Sequence, residues 1–167
     1  MKILLVLRHA KATQELGFAD HDRPLLPKGV KAARRMGRLL RGFTLDAVLT
    51  STASRARETA KLALESAGFS GLVIPCKELY LSSVETHLNR LSALDEAVDT
   101  ALIVGHNPTL EDLLARLTGE PNVLVTAALA VVGLSIGDWQ SLGPEARGRL
   151  IALFRPSQLK ALAHGLD

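Results

Sequence analysis

Ile3-Leu4-Leu5-Val6-Leu7-Arg8-His9-Ala10-Lys11-Ala12 follows Met1 and Lys2 at the start of the chain. Its five consecutive apolar residues do not alternate with polar ones. This predicts a strand buried on both faces, the habit of a central strand in a parallel sheet. The run stops on a guanidinium and an imidazole. A titratable pair at the carboxyl end of such a strand stands where open α/β sheets gather their ligands. The same run resembles the front of a signal peptide, but it is shorter than the ~7–15 apolar residues of an h-region. A cytoplasmic location is therefore the expectation.

Working outward, short apolar runs alternate with longer segments of helical period, and no repeat or linker divides residues 1–167. That rhythm predicts a single α/β domain: a three-layer α/β/α sandwich with a mostly parallel central sheet. A polar loop runs through Asp20-His21-Asp22-Arg23-Pro24; Pro27 and Gly29 then lead into a helix reaching about Leu40, with Gly42 at its end. Further strands are expected at Ala47–Thr50, Leu72–Ile74 (closed by Pro75), Ala101–Val104, Ala128–Leu134 and Leu150–Phe154. A second helix is expected from Arg55 to Ala67, stopping at Gly68. Short helices are expected over Val84–Arg90, after Ser92 and from Pro156 to Leu162. Asn107 and Pro108 read as an N-cap followed by proline at the first helical position, with the helix ending at Gly119.

Three strand ends carry chemistry: Arg8-His9, Ser51 to Arg55, and Gly105-His106-Asn107-Pro108. Arg8 and Arg55 offer planar forks suited to phosphate oxygens. The helices opening near Ser54 and Pro108 add free backbone N–H groups. With His9 and His106 these describe a dianion site. Thr59, one helical turn after Arg55, faces the same side and supports the loop or Arg55. No carboxylate cluster accompanies them, so no metal site is assigned and no cofactor is expected. Phosphoryl transfer would then need a protein nucleophile, and a neutral histidine serves if its other ring nitrogen is held by a hydrogen bond.

These segments resemble the histidine phosphatase superfamily, and Leu7-Arg8-His9-Ala10-Lys11-Ala12 resembles its small SixA-type phosphohistidine phosphatases. Asp22-Arg23-Pro24-Leu25 and Pro27-Lys28-Gly29 resemble that group's Asp-x-x-Arg-Pro-Leu-x-x-x-Gly region, read with a spacing shorter by one or two. Ser51 to Ala60 resembles its Ser-Pro-x-x-Arg-Ala-x-x-Thr-Ala, with Thr52 in place of proline. Glu78-Leu79-Tyr80, Val104 to Pro108 and the stretch from Trp139 to Pro156 also fit. The resemblance implies a phosphoglycerate mutase-like fold, His9 as nucleophile, and Arg8, Arg55, His106 and Asn107 around the phosphoryl group. Larger relatives carry an acidic proton donor between the third and fourth strands, for which Glu78 and Glu85 are the candidates. A missing acid favours a substrate whose leaving group departs easily, as the imidazole of a phosphohistidine does.

Blander readings stand beside these. Arg55 could pair with Glu58 or Asp46, Glu78 could be a structural partner for a base, and His21 could be a solvated loop residue. Arg57, His87 and His164 are expected on the surface, Trp139 and Tyr80 in packing roles, and the lone Cys76 as an apolar filler. The 20 basic and 17 acidic residues give a net charge of +3. Seven of the bases lie between Arg23 and Leu45, a stretch without an acid. Lys31, Arg34 or Arg35, and Arg38 share a helix face there, either simply solvated or docking an acidic partner. The expected partner is a phosphorylated protein bearing phosphohistidine, or a small phosphorylated substrate. A general phosphomonoesterase and a silent phosphate-binding adaptor are the alternatives, and a monomer is expected. Nucleic acid is not, because 4% aromatic residues offer little for base stacking. A membrane span is not expected either, since no run approaches about 18 apolar residues.

Overall fold

The computed structural model describes residues 1–145 and 147–159. Strand β1 (Lys2–Arg8) sits inside a six-stranded sheet, flanked by β4 (Thr100–Gly105) and β5 (Leu129–Leu134). Beyond β4 come β2 (Ala47–Ser51) and the edge strand β3 (Val73–Cys76); beyond β5 comes β6 (Gly148–Phe154). The pairs β1–β4, β2–β4 and β2–β3 are parallel, whereas β1–β5 and β5–β6 are antiparallel. The sheet is thus mixed, with its parallel half carrying the three motif-bearing strand ends.

The unbroken apolar run of β1 is explained by what lies on each side. Leu5 and Leu7 pack with Met36 and Leu40 of α1 (Pro27–Leu40) and with Ala60 and Leu64 of α2 (Ser54–Ala67). Leu4 and Val6 point to the opposite core, with Leu88 and Leu91 of α3 (Val84–Ser92) and Leu110 and Leu113 of α4 (Thr109–Thr118). Two helices on each face make the three layers expected. Trp139 is wholly buried in the second core and donates its indole N–H to Val98 O at 2.7 Å, the packing role expected of it.

Several boundaries differ from the sequence expectations. β3 runs through Pro75, which is tolerated because an edge strand has one side with no ladder to serve. No helix forms between Ser92 and β4: Asp95 accepts the Ala97 N–H at 2.8 Å on its side chain, a local bond that competes with helix and closes a turn. α4 begins at Thr109, after a cis Asn107–Pro108 peptide, and Asn107 does not cap it. A helical turn does begin at Pro156 and covers 156–159; the remainder of that expected helix, and His164, lie outside the described residues.

Two glycines let α1 come close. A Cβ on Gly29 would stand 2.2 Å from Lys11 O, and one on Gly37 would stand 2.2 Å from Ala63 O and 2.7 Å from Ser66 Cβ. The first contact seats the start of α1 against the loop that follows His9, where the Leu26 N–H also donates to Lys11 O. The second sets the α1–α2 spacing. Gly37→Ala gains helix propensity but wedges the two helices apart, for an expected net loss of about 1–3 kcal/mol. Urea denaturation should show a lowered midpoint at unchanged slope, with Gly137→Ala, which meets nothing within 4 Å, as the control. A midpoint equal to the wild type would show that the helices part without cost.

Candidate active site

Arg8 is the last residue of β1 and lies opposite Gly105 of β4, while Thr50 of β2 lies opposite Val104. The parallel strands therefore end at one level, and the segments after them meet. The His9 N–H donates to Gly105 O at 3.0 Å, and the Ala127 N–H is shared between Arg8 O and His9 O at 3.1 Å each. A cavity of about 490 Å³ opens there, lined among others by Arg8, His9, Arg23, Arg55, His106 and Asn107. A slightly larger hollow between α2 and β3 is mostly apolar and holds none of these groups.

The buried His9 is fixed by its own neighbour: Nδ1 lies 2.8 Å from Ala10 O. A carbonyl oxygen only accepts, so Nδ1 carries the proton and Nε2 keeps its lone pair. Thr59 anchors this loop. Its hydroxyl donates to Arg55 O at 2.6 Å and accepts the Ala10 N–H at 2.9 Å, so one side chain ties α2 to the strand end. Burial pulls the His9 pKa down to about 4, with Arg55, Arg8 and Arg23 adding to the effect against the Ala10 bond. Its ring centre is 5.2 Å from that of His106. His106 Nε2 is 2.7 Å from Ser51 Oγ, and burial, then His9 and Arg55, lower its pKa to about 3. Both imidazoles are neutral at pH 7.

Arg8 donates from Nη1 to Leu124 O at 3.1 Å, and burial lowers its pKa, with the nearby Glu111 acting in the other direction. Asn107 Nδ2 donates to Glu111 Oε1 and to Leu124 O, both at 2.9 Å, while Glu111 Oε1 also accepts the Leu124 N–H. This answers the capping expectation: the amide is used as a donor across the cavity wall, so it is not the acceptor a helix start needs. Arg8 Nε, Arg55 Nε, His106 Nδ1 and Asn107 Oδ1 are buried without a hydrogen-bond partner among the described residues. Each such group costs about 1–3 kcal/mol of desolvation. A tetrahedral dianion in the cavity could accept from the two guanidinium nitrogens.

Asp20 is the group that sequence reasoning missed. Arg55, only 5% exposed, donates to Asp20 O at 2.6 Å and to Asp20 Oδ2 at 3.2 Å. The alternative pairing of Arg55 with Glu58 or Asp46 is thereby corrected: Glu58 accepts the Leu25 N–H, and Asp46 accepts those of Asp99 and Thr100. Arg23 also bonds Asp20, and the Tyr80 hydroxyl donates to it at 2.5 Å. That bond, followed by Arg55 and against slight burial, holds the Asp20 carboxyl at about 2, and it raises the Tyr80 pKa. Tyr80 does more than pack, since its ring meets His21 and His106 edge-on. His21 is not simply solvated, for its Nε2 lies 3.0 Å from Thr52 Oγ1. A signal was available: counted from Asp20, residues 20–29 fit Asp-x-x-Arg-Pro-Leu-x-x-x-Gly without any shortening.

Other candidates lie elsewhere. Glu85 is exposed and pairs with Arg116 at 3.7 Å, and Glu78 is exposed on the turn after β3; neither lines the cavity. Arg57 is on the surface as expected. His87 is not: it is 1% exposed, with Nδ1 bonded to Ser83 O at 2.8 Å, and burial lowers its pKa. The α3 face that carries it also carries Leu88 and Leu91 into the core, so the ring has no route to solvent. Cys76 is buried, as an apolar filler should be, and also receives Arg90 Nη2 at 3.2 Å. Among the described residues no group of three or more His, Cys, Asp or Glu could hold a metal ion, and no helix is long and apolar enough to cross a membrane.

Residues 4–79 match the histidine phosphatase superfamily, branch 1. An uncharacterized protein of Mycobacterium leprae is 35% identical over 166 residues, covering 90% of this chain and 99% of its own. A structure assigned to the phosphohistidine phosphatase SixA of Nakamurella multipartitia is 32% identical with a TM-score of 0.78, covering 93% of this chain and 96% of that one. The protein histidine phosphatase SixA complexed with tungstate superposes with a TM-score of 0.83 at 27% identity, over 94% of this chain and 99% of that one.

Proposed function

Because the chain belongs to the histidine phosphatase superfamily, we propose that it acts, as one catalytic domain, as a phosphatase with His9 as its nucleophile and protein-bound phosphohistidine as its substrate. The observation that carries this reading is the Nδ1 bond of His9 to Ala10 O, which leaves Nε2 as an unprotonated nucleophile inside a ring of cations. In the first step Nε2 of His9 attacks phosphorus and the P–N bond to the substrate imidazole breaks. The departing ring, protonated from solvent, leaves as neutral imidazole. In the second step a water oxygen bonds to phosphorus, the P–N bond to His9 breaks, the water's proton passes to solvent and inorganic phosphate departs. Arg8, Arg55 and His106 contact the equatorial oxygens as charge spreads over them, with Asn107 at the pocket wall.

The substrate assignment follows from the acids. Asp20, held at about 2, is ionised and bonded to Arg55, so it is a poor proton donor at neutral pH. Glu85 and Glu78 do not line the cavity. A site with no ready acid suits a leaving group that needs little help, and an imidazole on a labile P–N bond is one.

The test is phosphate release in the presence of a chelator from a histidine-phosphorylated protein, a phosphohistidine peptide and sugar phosphates. Turnover of phosphohistidine should exceed that of sugar phosphates by at least about a hundredfold in kcat/KM, equivalent to about 2.7 kcal/mol of transition-state discrimination. A preference for sugar phosphates would overturn the substrate, and a requirement for Mg²⁺ would overturn the mechanism.

A further inference from the structure

Next to the catalytic cavity lies a second hollow of about 260 Å³, lined by Lys11, Lys28, Ala32, Arg35, Thr126 and Ser157 among others. Lys11 and Thr126 line both, so the two share one wall. The start of α1 sits against the Lys11 backbone at Gly29, which brings Lys28 close to Lys11. Three cations therefore border one concave spot beside the phosphoryl pocket. The side chains of these three make no hydrogen bond or ion pair among the described residues, unlike those of Arg8, Arg23 and Arg55 in the pocket itself.

The positive surface does not stop there. Lys28, Lys31, Arg35 and Arg38 follow one another at three- and four-residue steps, so they line one face of α1, opposite the buried Ala33, Met36 and Leu40. Lys31, Arg34 and Arg38 are exposed and equally without partners among the described residues. Like charges held this close raise the local potential, a cost relieved when an anion arrives. From Lys28 to Arg38 the row runs about 15 Å at about 1.5 Å per residue, longer than a small metabolite. No aromatic residue occurs in α1, so the face lacks the stacking groups that single-stranded nucleic acid uses.

We infer that Lys11, Lys28 and Arg35 form a second anion subsite, continued along α1, that recognises acidic side chains flanking the phosphorylated residue of a protein substrate. The inference rests on the phosphatase reading and adds to it how the partner is chosen. The phosphoryl group enters the His9 pocket while carboxylates beside it engage the hollow and then the helix.

The experiment uses two synthetic peptides chemically phosphorylated on one histidine, one flanked by Asp and Glu and the other by Asn and Gln, together with an aryl phosphate. The enzymes are wild type and Lys28→Gln/Arg35→Gln, neither position lining the catalytic cavity. Wild type should favour the acidic peptide by about tenfold in kcat/KM, expressed mainly in KM and shrinking as salt rises. The double variant should lose most of that preference and turn over the aryl phosphate within twofold of wild type. Binding of both peptides to His9→Asn protein, by calorimetry, reads the subsite without requiring turnover. Equal affinity for the two peptides, or an equal loss on every substrate, would overturn the subsite. Tighter binding of a single-stranded oligonucleotide than of the acidic peptide would overturn its assignment to protein. Should neither peptide be hydrolysed while the acidic one still binds more tightly through Lys28 and Arg35, the substrate reading falls and the subsite stands.

Discussion

His9→Asn should lower phosphate release by at least about a thousandfold on every substrate while leaving the fold intact, because it removes the only bond-forming nitrogen proposed here. Asparagine is polar and smaller than histidine, so the His9 site, 9% exposed, is not overpacked, and the space it leaves opens onto the cavity. The fold should be judged by an unchanged urea midpoint, and the chemistry by a trapped intermediate. Wild type mixed with radiolabelled substrate and quenched in base should carry label on the protein, since a phosphoramidate survives alkali and is lost in acid. The variant should carry none. The pH dependence gives a second reading of the same atom. With its pKa drawn down to about 4, His9 stays neutral as pH falls through 6 and is protonated only near 4. With the substrate's own ionisation divided out, kcat/KM should therefore hold level from pH 7 to about 5. It should then fall tenfold per unit below about 4. A limb at the ordinary histidine value near 6.5 would mean that burial and the flanking guanidiniums do not control this ring. Label retained by the variant would remove His9 from the mechanism.

What the sequence disclosed and what it withheld divide along a physical line. Arg8, His9, Arg55 and His106 were legible because each sits next to an apolar strand that announces itself, and parallel strands end together. The two-sided core was legible in the same run, since Leu4 and Val6 serve one helix layer and Leu5 and Leu7 the other. Asp20 was hidden because its meaning depends on partners at Arg55 and Tyr80, reached only when the polar loop folds back. Tyr80 was hidden for the same reason, a turn residue whose ring faces two histidines. His87 was misplaced because α3 is short, and one polar ring on its apolar side leaves little trace in the periodicity. The basic helix was visible as charge, but its place beside the pocket follows from a contact that a side chain at Gly29 would forbid.

Arg55→Ala should cost about 10²–10³-fold in kcat, the usual effect of removing one positioned donor from developing oxyanion charge. The alternative is a merely structural arginine, and the surroundings of Arg55 separate the two. Its ion-pair partner Asp20 has a side chain 52% exposed and keeps its bonds from Arg23 and Tyr80 when Arg55 is removed. Arg55 itself is buried, but its loss also removes a guanidinium whose Nε has no partner among the described residues and which shares the cavity with Arg8 and Arg23, and these gains offset the lost pair. The urea midpoint should therefore move little while turnover falls steeply. Arg55→Lys sharpens the distinction. Lysine restores a positive charge but not the planar fork, whose Nη1 and Nη2 are held by Asp20 and whose Nε is buried without a partner among the described residues. If the fork matters through bidentate contact with phosphoryl oxygens, lysine should recover no more than about tenfold of the loss. If only the local potential matters, lysine should restore the rate almost fully. A loss of stability in proportion to the loss of rate in both variants would assign Arg55 to the scaffold. Asp20→Asn would then be expected to match them, since it removes the other half of the same pair.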